Sequence, residues 1–315
     1  MMKRYLAFTA MLCSICILFS SCAFLPDLGD ILDEWEQIMQ SVLDDSSNSE
    51  STVIDQHDSI GKARTVDDLQ KKYGFSIKDP DGLLSDENGP QNCEIVDQTL
   101  EIFSKPVIKG FLKSLWRRDC SFSMEFLDKE SDSLGETSYD YNSIQIKIFA
   151  PRDTIDPSVT NGITIETISH EIGHAIHDVL EYDSDFEKIW GQLNGDHSYG
   201  DEWDDSCESF FTYEYGLTSY YEDVATVFED LAAFPLIMAS RLSQPENEPL
   251  YMKTKYLYTM MNETFDLSES SLFEAYQIAV NRRNDDKDFE ESFDTFNPYR
   301  YGEDSEFAGS DIGVA

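Results

Sequence analysis

Apolar residues recur at helical spacing along most of this chain and at every second position in one short stretch. Leu28, Ile31, Leu32, Trp35, Ile38, Met39, Val42 and Leu43 mark an amphipathic helix. The run Asp44-Asp45-Ser46-Ser47-Asn48-Ser49-Glu50-Ser51 follows and reads as a solvated linker. A folded body begins near Gly61, with a short helix after Thr65. A longer helical pattern runs from Glu94 to Trp116 through Ile95, Leu100, Phe103, Ile108, Phe111, Leu112 and Leu115, and Pro106 marks a kink or a boundary in it. Between Cys120 and Phe149 the period changes to two: Ile144, Ile146 and Ile148 alternate with Gln145 and Lys147, as in a half-buried strand. From Ile163 to about Arg283 the pattern is almost all helical, with loops near 183–204 and 243–249. From Asn284 the chain turns acidic and loose, and 284–315 is expected to be a disordered tail.

The N-terminus breaks this picture. Residues 1–21 carry no acid; Lys3 and Arg4 precede an apolar run from Leu6 to Phe19 that is short for a membrane span. This is the pattern of a secretory signal. Leu18-Phe19-Ser20-Ser21-Cys22 further resembles a lipobox ending in an acylated cysteine, although Phe19 departs from the usual aliphatic residue. The expected organisation is therefore a signal peptide over 1–21, a lipid-anchored helix and linker over 22–62, a folded body over 63–283 and the acidic tail. The mature protein is expected at the outer face of a bacterial cell membrane, held through Cys22, or secreted if that anchor is lacking. Cys93, Cys120 and Cys207 then remain; a Cys93–Cys120 bridge and free thiols are both open.

Composition narrows the function. The 315 residues hold 62 acidic against 23 basic side chains, a formal charge of −39. Phosphate neutralisation needs a basic face, so nucleic acid is excluded as a partner. At 41% hydrophobic and 13% aromatic residues the chain has ample material for a core.

Three of the five histidines fall within Ser169-His170-Glu171-Ile172-Gly173-His174-Ala175-Ile176-His177. His170-Glu171-Ile172-Gly173-His174 is an H-E-x-x-H pattern. Residues i and i+4 share one helix face, so both imidazoles can reach one ion, and Glu171 projects beside them toward a water on it. Zinc lowers the pKa of such a water to about 7. The flanking Ile165, Ile168, Ile172, Ala175, Ile176 and Val179 imply a buried helix, in which two unpaired histidines are costly. A catalytic zinc takes a third protein ligand. The metzincin pattern requires histidine where Leu180 stands and is excluded. His177 lies a turn further along the face, as a third ligand, an outer-sphere group or a packed polar residue. A glutamate from a later helix is the other choice.

Tyr215-Gly216-Leu217-Thr218, with Glu222 seven positions after the tyrosine, resembles the lethal-factor family of gluzincin proteases, which includes the bacterial Pro-Pro endopeptidases. The resemblance covers roughly residues 140–240. It implies Glu222 as third zinc ligand beside His170 and His174, and Tyr215 as donor to the oxyanion of the tetrahedral intermediate. It also implies a protein or peptide substrate, pairing as an added strand along an edge formed by 143–149. The family often carries a second glutamate four positions after the ligand; here that position is Thr226, and Asp223 or Glu229 are the substitutes. Ser219-x-x-Glu222 is also a capping box, which would commit the Glu222 carboxylate to a backbone N–H instead.

The fold expected is α+β and zincin-like: a small twisted sheet from 120–150 packed on the His170 helix, then a mainly helical half bearing Glu222. The function expected is zinc-dependent endopeptidase activity, with Glu171 as general base. The alternatives are a surface lipoprotein that binds zinc or a partner without turnover, and a cysteine hydrolase using Cys207 with His197, a pair with no supporting motif. No Gly-x-Met-Glu-Asn element for gripping a free amino terminus is present, which disfavours an aminopeptidase.

Overall fold

The computed structural model describes residues 63–285, apart from 130, 132, 153–161 and 183. The chain divides into two units, Met1–Ile60 and Gly61–Ala315, and every described residue belongs to the second. The expected signal, Cys22, the 22–62 segment and the tail from 286 onward lie outside the described residues.

Thr65 caps α1 (Val66–Tyr73) by accepting from the Asp68 N–H at 3.1 Å. The long helical pattern then appears as two helices, α2 (Gly89–Phe103) and α3 (Lys105–Arg117). Ser104, at φ 79, turns the chain between them, and Pro106 sits in the first turn of α3, where its missing N–H costs nothing.

Four strands form one mixed sheet: β1 (Ser76–Lys78), β2 (Ser121–Leu127), β3 (Gly135–Asp140) and β4 (Ser143–Phe149), in the order β1-β2-β4-β3. β2 pairs in parallel with β1 and β4; β3 runs antiparallel to β4. Met124, Phe126, Ile144, Ile146 and Ile148 are buried on one face. The other face is polar, with Gln145 bonded to Glu125 at 3.1 Å and Lys147 paired with Glu136 at 3.0 Å. The expectation that 143–149 forms the sheet edge is therefore corrected: β4 lies between β2 and β3, and the edge strand is β3. Alternation reports that one face of a strand is wet; it does not report whether a neighbour pairs on both sides.

The C-terminal half is helical, with α4 (Ile165–Glu181), α5 (Phe186–Gln192), α6 (Tyr220–Ala233), α7 (Pro235–Leu242), α8 (Glu248–Thr264) and α9 (Glu274–Asp285). Two details differ from the pattern. The stretch 183–204 contains α5, and the irregular segment extends instead from 193 to 219, interrupted by short 3-10 turns at Cys207–Ser209 and Glu214–Leu217. α4 packs against β3, β4 and, most extensively, α6. That contact explains Gly173 inside the histidine motif: a Cβ there would lie 2.9 Å from Cβ of Phe228 on α6. A small residue at this point lets the two helix backbones approach.

The three described cysteines are free. Cys93 is buried and its thiol, directed at the Leu84 carbonyl, is pushed up to about 11 by burial.

Candidate metal centre

Thr164 starts α4 by accepting from the Thr167 N–H, which fixes the helix phase that turns His170 and His174 to one side. Their rings lie edge to face with centroids 4.8 Å apart. Ser219 starts α6, accepting from the Glu222 N–H at 3.2 Å, so half of the capping box forms. The Glu222 carboxylate does not complete it. Its Oε2 stands 3.0 Å from His170 Nε2 and 3.3 Å from His174 Nε2. One donor atom from each of His170, His174 and Glu222 lies within 4.8 Å of the others.

His170 is held from behind as well. Its Nδ1 lies 3.0 Å from Oε2 of Glu229, to which the Tyr213 hydroxyl also donates at 2.8 Å. An ionised carboxylate only accepts, so Nδ1 carries the proton and Nε2 of a neutral ring points its lone pair at Glu222. Two imidazole nitrogens and a carboxylate oxygen facing one another repel unless a cation stands among them. Without a metal, a proton serves. Burial pushes the His170 pKa down, but bonds to Glu222 and Glu229 outweigh it and raise it to about 9. Burial likewise raises Glu222, and its bonds to His170 and His174 outweigh that and hold it at about 2. A borderline cation that prefers nitrogen and oxygen ligands fits this donor set.

Glu171 is buried, 5% exposed, and burial raises its pKa from the ordinary carboxylate value against the pull of His170. Its Oε2 accepts from the Thr137 hydroxyl of β3 at 2.6 Å. Tyr215 is half exposed, with its ring 5.8 Å from that of His170. Burial, the charge of Glu222 and a hydrogen bond with Glu222 together push its hydroxyl up to about 12.

The remaining candidates lie elsewhere. His177 is 1% exposed and bonds to the Tyr220 hydroxyl at 2.6 Å, and burial pushes its pKa down to about 3. It is a packed polar residue. Cys207 does meet His197, Sγ to Nδ1 at 3.8 Å, but it is sealed beneath Phe211 and Leu217 and presents no nucleophile to solvent. Of the substitutes for the glutamate missing at Thr226, Glu229 reaches His170. Asp223 instead lies fully buried, its Oδ2 accepting from Trp190 at 2.7 Å, Tyr199 at 2.9 Å and Lys253 at 2.7 Å. Thr137, Tyr213 and Tyr139, which donates to the His174 carbonyl at 3.0 Å, had no signal in residue spacing. Each reaches the centre through tertiary packing.

No protein-family model and no curated protein matches the chain. Among solved structures it is similar to a chain from Bacteroides caccae ATCC 43185 described as a "putative zinc-binding metallo-peptidase", with a TM-score of 0.40 and 13% identity, over 75% of this chain and 97% of that one. A likeness at this level carries neither an activity nor site residues over to this protein.

Proposed function

We propose that the protein is a zinc-dependent endopeptidase of zincin-like fold, acting on extended segments of extracellular or surface proteins. The observation that carries this reading is the convergence of His170, His174 and Glu222 donor atoms beside the buried Glu171 carboxylate. His170, His174 and Glu222 would hold the ion. Bound zinc supplies a water of pKa about 7 and polarises the scissile carbonyl. Glu171 takes the proton of the attacking water and delivers it to the leaving amine. Tyr215, half exposed beside His170 and protonated at neutral pH, donates to the developing oxyanion. Glu229 and Tyr213 fix the tautomer and aim of His170.

The substrate edge in this proposal is β3. The Phe149 N–H donates to Leu134 O, so in the antiparallel register 136, 138 and 140 exchange their backbone bonds with β4. The N–H and C=O groups of Gly135, Thr137 and Tyr139 then point away from β4, where among the described residues no further strand pairs with them, and an added strand would bond there.

The test is zinc content together with cleavage of an unstructured peptide library. About one zinc per chain and chelator-sensitive cleavage are expected. Glu171→Ala keeps the metal and loses turnover, and Glu222→Ala weakens metal binding. Full zinc occupancy with no cleavage of any library would favour the non-catalytic binding protein. Export and anchoring at the bacterial surface through acylated Cys22 are part of the same proposal; acyl incorporation that persists in Cys22→Ala would remove that part.

A further inference from the structure

The inner face of β3 is built against the Glu171 side chain. Gly135, Thr137 and Tyr139, at alternate positions, share that face and meet α4, the first two at Glu171 and the third at His174. A Cβ on Gly135 would lie 2.5 Å from Oε1 and 2.6 Å from Cγ of Glu171, so the carboxylate arm lies directly across the glycine. The Thr137 hydroxyl is within reach of both Glu171 Oε2 at 2.6 Å and the Glu171 backbone carbonyl at 3.1 Å. Tyr139 bonds to the His174 carbonyl one turn on, which fixes the register of strand on helix.

Glu171 has a long, flexible arm, and among the described residues no lysine or arginine pairs with it. Among the described hydrogen bonds its carboxylate receives a side-chain donor from Thr137. Thr137 removes one of the carboxylate's rotational choices, and the absent side chain of Gly135 leaves the arm its place.

We propose that Thr137 is a positioning residue for the Glu171 carboxylate, so that the edge strand offered to substrate also sets the aim of the general base. Substrate pairs with the outward backbone groups of Thr137 while its hydroxyl faces inward to Glu171. Strand addition and base orientation thus meet in one residue. This rests on the peptidase reading above and adds a residue to it.

The experiment compares Thr137→Val and Thr137→Ser with the full wild-type chain. Valine is nearly isosteric and suits a strand, so the fold is kept while the hydroxyl is lost. Thr137→Val is expected to lower kcat about ten- to a hundredfold with KM within about twofold, and Thr137→Ser to restore most of the loss. Zinc affinity, measured by competition with a chelating dye, stays unchanged in both. A second readout needs no activity: a double-mutant cycle of Thr137→Val with Glu171→Ala, read by chemical denaturation, is expected to show a coupling of about threefold or more in the unfolding constant. Additive effects in the cycle, or an unchanged kcat in Thr137→Val, would overturn the proposal. Should the wild type cleave nothing while the coupling is present, the peptidase reading fails and the Thr137–Glu171 contact stands.

Discussion

Glu229 is the residue whose role depends most on its neighbours. It lies two turns beyond Glu222 on α6 and takes the far side of the same imidazole, with Tyr213 closing the chain of bonds. Glu229→Gln keeps the shape and loses the charge that fixes the His170 tautomer. Zinc affinity is expected to fall about 10- to 100-fold, with a smaller loss in Tyr213→Phe, both measured by dye competition. His177 gives a prediction of a different kind. Its folded pKa of about 3 lies below the ordinary value near 6.5, so the folded ring stays neutral where the unfolded one charges. Its contribution is complete above pH 6.5 and is lost, at up to ~1.4 kcal/mol per pH unit, as pH falls from there toward 3. Urea denaturation at pH 7.5 and pH 5 should show a larger acid loss for the wild type than for His177→Gln; equal losses would contradict the assignment.

Among the elements, the α4–α6 pair brings the two halves of the centre together. Gly173→Val places a side chain against Phe228 and forces the helices apart. A stability loss of about 1–3 kcal/mol is expected, with a parallel loss of zinc affinity because Glu222 moves with α6. The edge strand makes its own prediction. If substrate pairs with 135, 137 and 139, N-methylation of single amides in a cleaved peptide should block cleavage at alternate positions, and uniform tolerance would remove strand addition. Here the limits of sequence reading are physical. The proximity of His170 and His174 was legible because helical spacing converts directly into proximity, and that of Glu222 through the motif after Tyr215. The order of the strands was not legible. β3 reads Gly-Glu-Thr-Ser-Tyr-Asp, a polar run without a buried apolar row, and its position beside β4 is set by backbone pairing. Thr137 and Tyr213 were missed for the same reason: their partners lie 34 and 16 positions away, and no local period encodes such distances.

For the whole molecule, the charge of −39 predicts a long-range pull on basic peptides. Cleavage of a basic substrate should slow as ionic strength rises, and cleavage of a neutral one should change little. The one fully buried lysine–carboxylate pair among the described residues lies one position from Glu222. Lys253 pairs with Asp223 at 2.7 Å, donates to Phe210 O and stands 4.0 Å above the Phe211 ring. Lys253→Met leaves Asp223 buried without its cation and should cost roughly 3–5 kcal/mol by chemical denaturation. That junction also changes how the irregular segment 193–219 behaves. Trp190, Tyr199, Phe210, Asp223 and Lys253 are fastened to one another from four parts of the chain, so the segment cannot open alone without breaking the contacts that seat α6 and α8. Its amide protons should exchange in step with those of α6, and a protease should find few cuts there before the molecule unfolds. Nearly thirty residues without regular structure would then share the lifetime of the helices around them.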